Sequence, residues 1–178
     1  FRRVPALASP ILIAAVLAAC SGGAGGLGGG RTPPTVTDFA PTGYCAPLQL
    51  RPGTETLTLY ERGHDGEAAH VRYQLSISEK ARECRSGGGV STVKIGISGR
   101  VVSGPKGGPG TVTLPIRVAV VKQGGGGGPR YTELFRVPVT LTAQNLSAPW
   151  SHVIDQVTFE LGPDDRDLII FVGFDDGS

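Results

Sequence analysis

From Cys45 onward, apolar and polar residues alternate with a period of two, the spacing that sends successive side chains to opposite faces of a strand. Val71, Tyr73, Leu75 and Ile77 share one face, while Arg72, Gln74, Ser76 and Ser78 share the other. Val93, Ile95, Ile97 and Val101 repeat the pattern against Lys94, Ser98 and Arg100, and the glycines at 87–89 between the two runs predict a hairpin. Leu57 and Leu59, alternating with Thr56 and Thr58, predict a shorter strand before them. Gly96 and Gly99 bring no side chain to the second long strand, so each marks a bulge or a close approach of another backbone.

A Gly/Pro-rich loop over 104–110 leads into Val112, Leu114, Ile116, Val118 and Val120, which face one way. Pro115 on the opposite face has no donor for a sheet ladder and predicts that this strand is at an edge or bulged there. The same holds for Pro138 in the next strand, 131–141. The glycines at 124–128 between these strands are too flexible to set a register, so that hairpin must be held by its strands. Residues 145–149 read as a turn, and 153–161 and 168–174 as two last strands joined by 162–166. About eight strands, linked mostly as hairpins and without helical periodicity, predict an all-β domain: a single antiparallel β-sandwich, with a small barrel as the alternative.

The start of the chain follows a different rule. Arg2 and Arg3 precede an uncharged run that closes at Ala19 and is interrupted by Pro5 and Pro10, shorter than the roughly 20 apolar residues of a membrane span. A basic start, a short apolar core and small residues at its end are the pattern of a secretory signal. Within it, Leu17-Ala18-Ala19-Cys20 resembles the lipobox of bacterial lipoproteins. The resemblance implies cleavage before Cys20, a diacylglycerol on its thiol, and attachment to the bacterial cell envelope. Ser21, standing where an acidic residue would favour retention in the inner membrane, implies the outer membrane. With no Met before Phe1, the start is expected to be truncated or misassigned. The expected organisation is a signal peptide over 1–19, a Gly-rich flexible tether over 20–34 and the β-sandwich domain over 35–178. A tether of that composition has an end-to-end distance of about 20 Å.

Of 178 residues, 17 are Lys or Arg and 15 are Asp or Glu. Arg2 and Arg3 are the only charges before Cys20, so the exported part carries 15 basic against 15 acidic residues. That balance leaves no basic footprint for nucleic acid. Three cysteines are awkward in an exported protein, and lipidation of Cys20 reduces them to a pair. Cys45 and Cys84 then either bridge in an oxidising compartment or stay as two buried thiols. A bridge is the expectation, closing a loop of about 40 residues with an upper stabilisation of roughly 4 kcal/mol.

No motif names a reaction. The loop over 104–110 holds Lys106 but lacks the ending of a P-loop and precedes a strand, so it is a connector or a contact for a partner. His64 beside Asp65, in a Gly-flanked turn, has the residue types of a base and its orienter, but no nucleophile stands out for it; His70 and His152 are the other histidines. Asp164, Asp165, Asp167, Asp175 and Asp176 do not match a calcium loop and read as turn residues. An exposed stacking platform for sugars is open only to Tyr44, Tyr60, Tyr131 or Trp150. The pattern from Cys45 to Phe174 is similar to immunoglobulin-like or fibronectin type III-like domains, without the Cys, Trp, Cys order of antibody domains, since Trp150 follows both cysteines. The expectation is a non-enzymatic, lipid-anchored envelope protein that binds another envelope protein, with no catalytic residues, metal or cofactor. A peptidoglycan- or polysaccharide-binding module is the alternative, and a hydrolase the third class.

Overall fold

The computed structural model describes residues 43–163 and 165–177. Cys20, the stretches expected to be a signal peptide (1–19) and a tether (20–34), and the first residues of the expected domain, 35–42, lie outside the described residues, as does Asp164. Among the described residues no helix is long and apolar enough to cross a membrane.

Eight strands build two packed sheets: β1 (Leu48–Leu50), β2 (Thr56–Tyr60), β3 (Val71–Gly87), β4 (Val90–Ser103), β5 (Gly110–Lys122), β6 (Tyr131–Leu141), β7 (Ser147–Glu160) and β8 (Leu168–Phe174). One sheet has the order β1-β8-β5-β6 and the other β2-β3-β4-β7. The chain is an all-β sandwich. Neighbours pair antiparallel except β1 with β8, which run parallel. The β2–β3–β4 meander stays within one sheet, β5 and β6 form the expected hairpin, and β7 and β8 each return to a different sheet. Shared with the immunoglobulin constant-type plan are the two packed layers; the strand order is this chain's own.

The alternating apolar positions are the core. Leu75, Val93, Ile95 and Val101 from one sheet meet Leu114, Ile116, Val118, Val120, Leu168 and Ile170 from the other, all with at most 1% exposure. Removing such a Val, Leu or Ile side chain from water contributes about 1.5–3 kcal/mol. Trp150 points inward from β7, with its ring 6.3 Å from that of Phe174. The β3–β4 hairpin is the longest element, and Ser78 is the extra residue of a bulge between Ile77 and Glu79 that returns Lys80, Arg82 and Cys84 to the inner side.

Two expectations need correction. Pro115 does not mark an edge or a bulge, because β5 lies between β8 and β6 and its register with β6 runs unbroken through Pro115↔Arg136. The Pro115 carbonyl accepts from the Asp175 N–H at 2.9 Å, so its nitrogen also faces the β8 side, just beyond the last β5–β8 pair, Ile116↔Phe174. The missing donor therefore falls where the neighbouring strand ends. Residues 147–149 are not part of a turn: β7 starts at Ser147 and pairs through Pro149↔Arg100, the turn itself being Thr142 to Asn145. Pro138 does lie in an edge strand, β6. Gly99 marks a close approach, since a Cβ there would stand 1.9 Å from the Ser76 carbonyl oxygen, whereas one on Gly96 would meet nothing within 4 Å.

Candidate functional site

Cys45 and Cys84 are joined, with Cα atoms 5.7 Å apart. The bridge ties the segment entering β1 to the inner side of the β3–β4 hairpin. Beside it, Ser86 Oγ donates to the Tyr44 carbonyl at 2.8 Å and lies 3.0 Å from Oγ of the fully buried Ser91. The Tyr44 hydroxyl donates to the Leu168 carbonyl at 2.9 Å, with Arg166 over its ring.

The histidines converge in a way their neighbours in sequence do not suggest. The loop from β2 to β3 is three consecutive turns that share corner residues: the His64 N–H donates to Glu61 O, Glu67 N–H to His64 O, and His70 N–H to Glu67 O. The Glu61 N–H then donates to His70 O at 3.0 Å and closes the loop. Gly63 and Gly66 occupy the third position of the first two turns with φ of 83° and 86°, the left-handed conformation that a type II turn demands there. The third turn is the 3-10 stretch Ala68–His70. Glu61, His64, Glu67 and His70 are the corners that the turns share, and their side chains gather, while Asp65, inside a turn, does not join them.

Their atoms are within reach of one another. His70 Nδ1 is 2.7 Å from Glu61 Oε2, His64 Nδ1 is 3.2 Å from Glu67 Oε1, and His70 Nε2 is 3.6 Å from Glu67 Oε2. The two imidazoles stack with centroids 3.8 Å apart and planes 6° from parallel. The hydrogen bond from His70 holds the Glu61 carboxyl below its ordinary range, helped by the charge of Lys106. One ligand atom each from His64, Glu67 and His70 lies within 4.8 Å of the other two. His152 is not in this group; it stands on β7, 6.4 Å from the Phe135 ring.

The acidic residues near the C-terminus do separate work. Asp165 is 5% exposed; its carboxylate accepts from the Gly162 N–H at 2.8 Å and faces Arg130 at 3.1 Å. The Gly162 bond above all, and then Arg130 and Lys122, hold its carboxyl below the usual carboxylate range. Asp175 accepts from the Gly177 N–H and pairs with Arg117, and both lower it in that order. The Arg117–Asp175 pair, but not the Asp165 set, lines an open groove of about 810 Å³ on the outer face of the β1 sheet, together with Arg51, Ala119 and Phe171.

Of the aromatic residues expected to be available to sugars, Trp150 is in the core at 6% exposure. Tyr131 bonds Glu133, and its hydroxyl is pushed well above the usual range by burial and by that carboxylate. Among the described residues, no hydroxyl or thiol is hydrogen-bonded to any of the three histidines. No family model, curated protein or solved structure matches this chain.

The last feature is an edge. Because the Pro115 nitrogen and carbonyl face β8, the Pro115↔Arg136 pair is a non-hydrogen-bonded one, and the backbone polar groups of Arg136 face away from β5. Alternation puts the N–H groups of Thr132, Leu134 and Arg136 at the outer edge of β6. Pro138 follows in the same set, where its missing N–H costs nothing. Among the described residues β5 is the sole strand paired with β6.

Proposed function

We propose that the chain is a non-enzymatic bacterial cell-envelope protein, held to the outer membrane by a lipid on Cys20, whose sandwich receives an extended segment of another envelope protein along β6. The lipobox-like Leu17-Ala18-Ala19-Cys20 supports the address. The Cys45–Cys84 bridge agrees with an oxidising compartment. The observation that carries the docking mode is the row of outward N–H groups at Thr132, Leu134 and Arg136, since a one-sided strand is a template for strand addition. Proline-free sequence from Tyr131 to Val137 gives a partner room for about three main-chain bonds on each side of the pair. Immunoglobulin-like and fibronectin type III-like character enters the proposal as shared two-layer architecture alone.

Photo-crosslinking from position 136, exposed on the same strand, tests this reading in intact cells. One defined envelope protein should be trapped, and Thr132→Pro, which removes an outward N–H and leaves the β5 ladder intact, should abolish the trapping while the fold survives. Trapping unaffected by the proline would remove strand addition. Retention of the protein on insoluble peptidoglycan with no protein trapped would replace the proposal by the glycan-binding alternative.

A further inference from the structure

The Glu61, His64, Glu67, His70 loop has no role in edge docking, and its chemistry points elsewhere. A carboxylate only accepts hydrogen bonds, so the 2.7 Å contact with Glu61 is made by a hydrogen on Nδ1 of His70, and Nε2 is the ring atom that faces the Glu67 carboxylate at 3.6 Å. With Nδ1 of His70 engaged by Glu61, one ligand atom each from His64, Glu67 and His70 lies within 4.8 Å of the other two, the arrangement of a three-donor metal face. An ion with tetrahedral bonds of about 2.1 Å separates its ligand atoms by about 3.4 Å. Glu67 Oε1 stands 3.2 Å from His64 Nδ1 and Glu67 Oε2 3.6 Å from His70 Nε2, so small rotations bring one donor from each residue to that spacing. The backbone brings the four residues together, since three shared-corner turns and the closing Glu61–His70 bond hold every Cα of the set.

From this geometry we propose that the β2–β3 loop is a surface site for a divalent transition-metal ion of the zinc, nickel or copper type. His64 and His70 supply imidazole nitrogens, Glu67 a carboxylate oxygen, and the fourth position is left to water. Glu61 is a positioning residue: it fixes the tautomer and direction of His70, as carboxylates behind metal-bound imidazoles commonly do. Two nitrogens among three protein donors select against calcium and magnesium, which take oxygen. Binding turns the stacked imidazoles about their Cβ–Cγ bonds so that the nitrogens converge. Lys106, whose charge reaches Glu61 from the β4–β5 loop, is the nearby cation that a bound ion must tolerate.

The test is calorimetric titration of zinc chloride into the full chain, purified in detergent and stripped with a chelator. One ion per chain is expected, unaffected by millimolar calcium or magnesium. His64→Ala and His70→Ala should each weaken binding at least tenfold, and Glu61→Gln about tenfold, with His152→Ala as the unchanged control. Because a variant could disturb the loop, imidazole NMR signals of the unaltered protein give a second reading: zinc should move those of His64 and His70 and leave those of His152 in place. Absence of saturable one-to-one binding overturns the proposal. So does binding that survives both alanine variants, or zinc shifts confined to His152.

Discussion

Glycine has opposite meanings three positions apart in β4. At Gly99 the Ser76 carbonyl oxygen occupies the space a Cβ would need, 1.9 Å away, and the contact is backbone that cannot swing aside. At Gly96 the space is open. Gly99→Ala is therefore expected to destabilise by roughly 1–3 kcal/mol, the range of an overpacked site. Gly96→Ala should instead stabilise by about 0.4–1 kcal/mol, because it restricts the unfolded chain without strain. Urea denaturation of the two variants checks both signs. The sequence marks both residues as exceptions inside a strand pattern but does not separate them, because the distinction belongs to β3, the strand across the sheet. Period-two reading likewise passes over the histidine loop. Glu61, His64, Glu67 and His70 repeat every three residues, a spacing that belongs neither to a strand nor to an α-helix, and the pairing of His64 with Asp65 suggested by adjacency gives way to contacts between turn corners.

At the scale of elements, β1 is the weakest member of the sandwich. It has three residues, pairs on one side, and runs parallel to β8. What holds it is a covalent tie a few residues upstream, from Cys45 to Cys84. Replacing both cysteines by serine should lower stability by about 2–4 kcal/mol. The loss should also have a location: amide exchange should rise first in β1 and at the β8 edge it covers, well before the β3–β4 hairpin responds. A uniform rise across both sheets would show that the bridge acts on the whole domain and not through β1. Most strands were legible because half-buried strands write their burial into alternate positions. The exceptions were β1, whose three residues are too few to show a period, and two prolines read as breaks, since Pro115 sits where a neighbour ends and Pro149 lies within β7.

For the molecule as a whole, the two-layer architecture follows from the alternation of apolar and polar residues, while the allocation of strands to layers does not. Which sheet a strand joins depends on the path of connections such as 104–109 and 161–167, whose residues carry no periodic signal. Charge sets the terms of membrane attachment in the proposed function. Fifteen basic and 15 acidic residues after Cys20 give no electrostatic hold on a bilayer. Each acyl methylene in a membrane contributes about 0.8 kcal/mol, and two chains suffice for stable anchoring. Cys20→Ser should therefore abolish acyl labelling and leave an unprocessed precursor, while the unaltered protein stays with membranes through a high-salt wash. Acyl labelling that persists in the serine variant, or never occurs in the unaltered protein, would remove the anchor from the proposal.

The parallel pair at the margin of the β1 sheet sets an order in time. Because Leu48↔Ile170 joins the first strand to the last, that sheet has no complete form until residue 174 has arrived. The β3–β4 and β5–β6 hairpins close between near neighbours in sequence, whereas β8 pairs with β1 across almost the whole domain, a long-range closure of the kind that slows folding. A nascent chain lacking its final strand thus exposes the flank of β5 and cannot seal its core. In the export that the proposed function entails, such late closure would leave the chain open to threading through a translocation pore until its tail has passed.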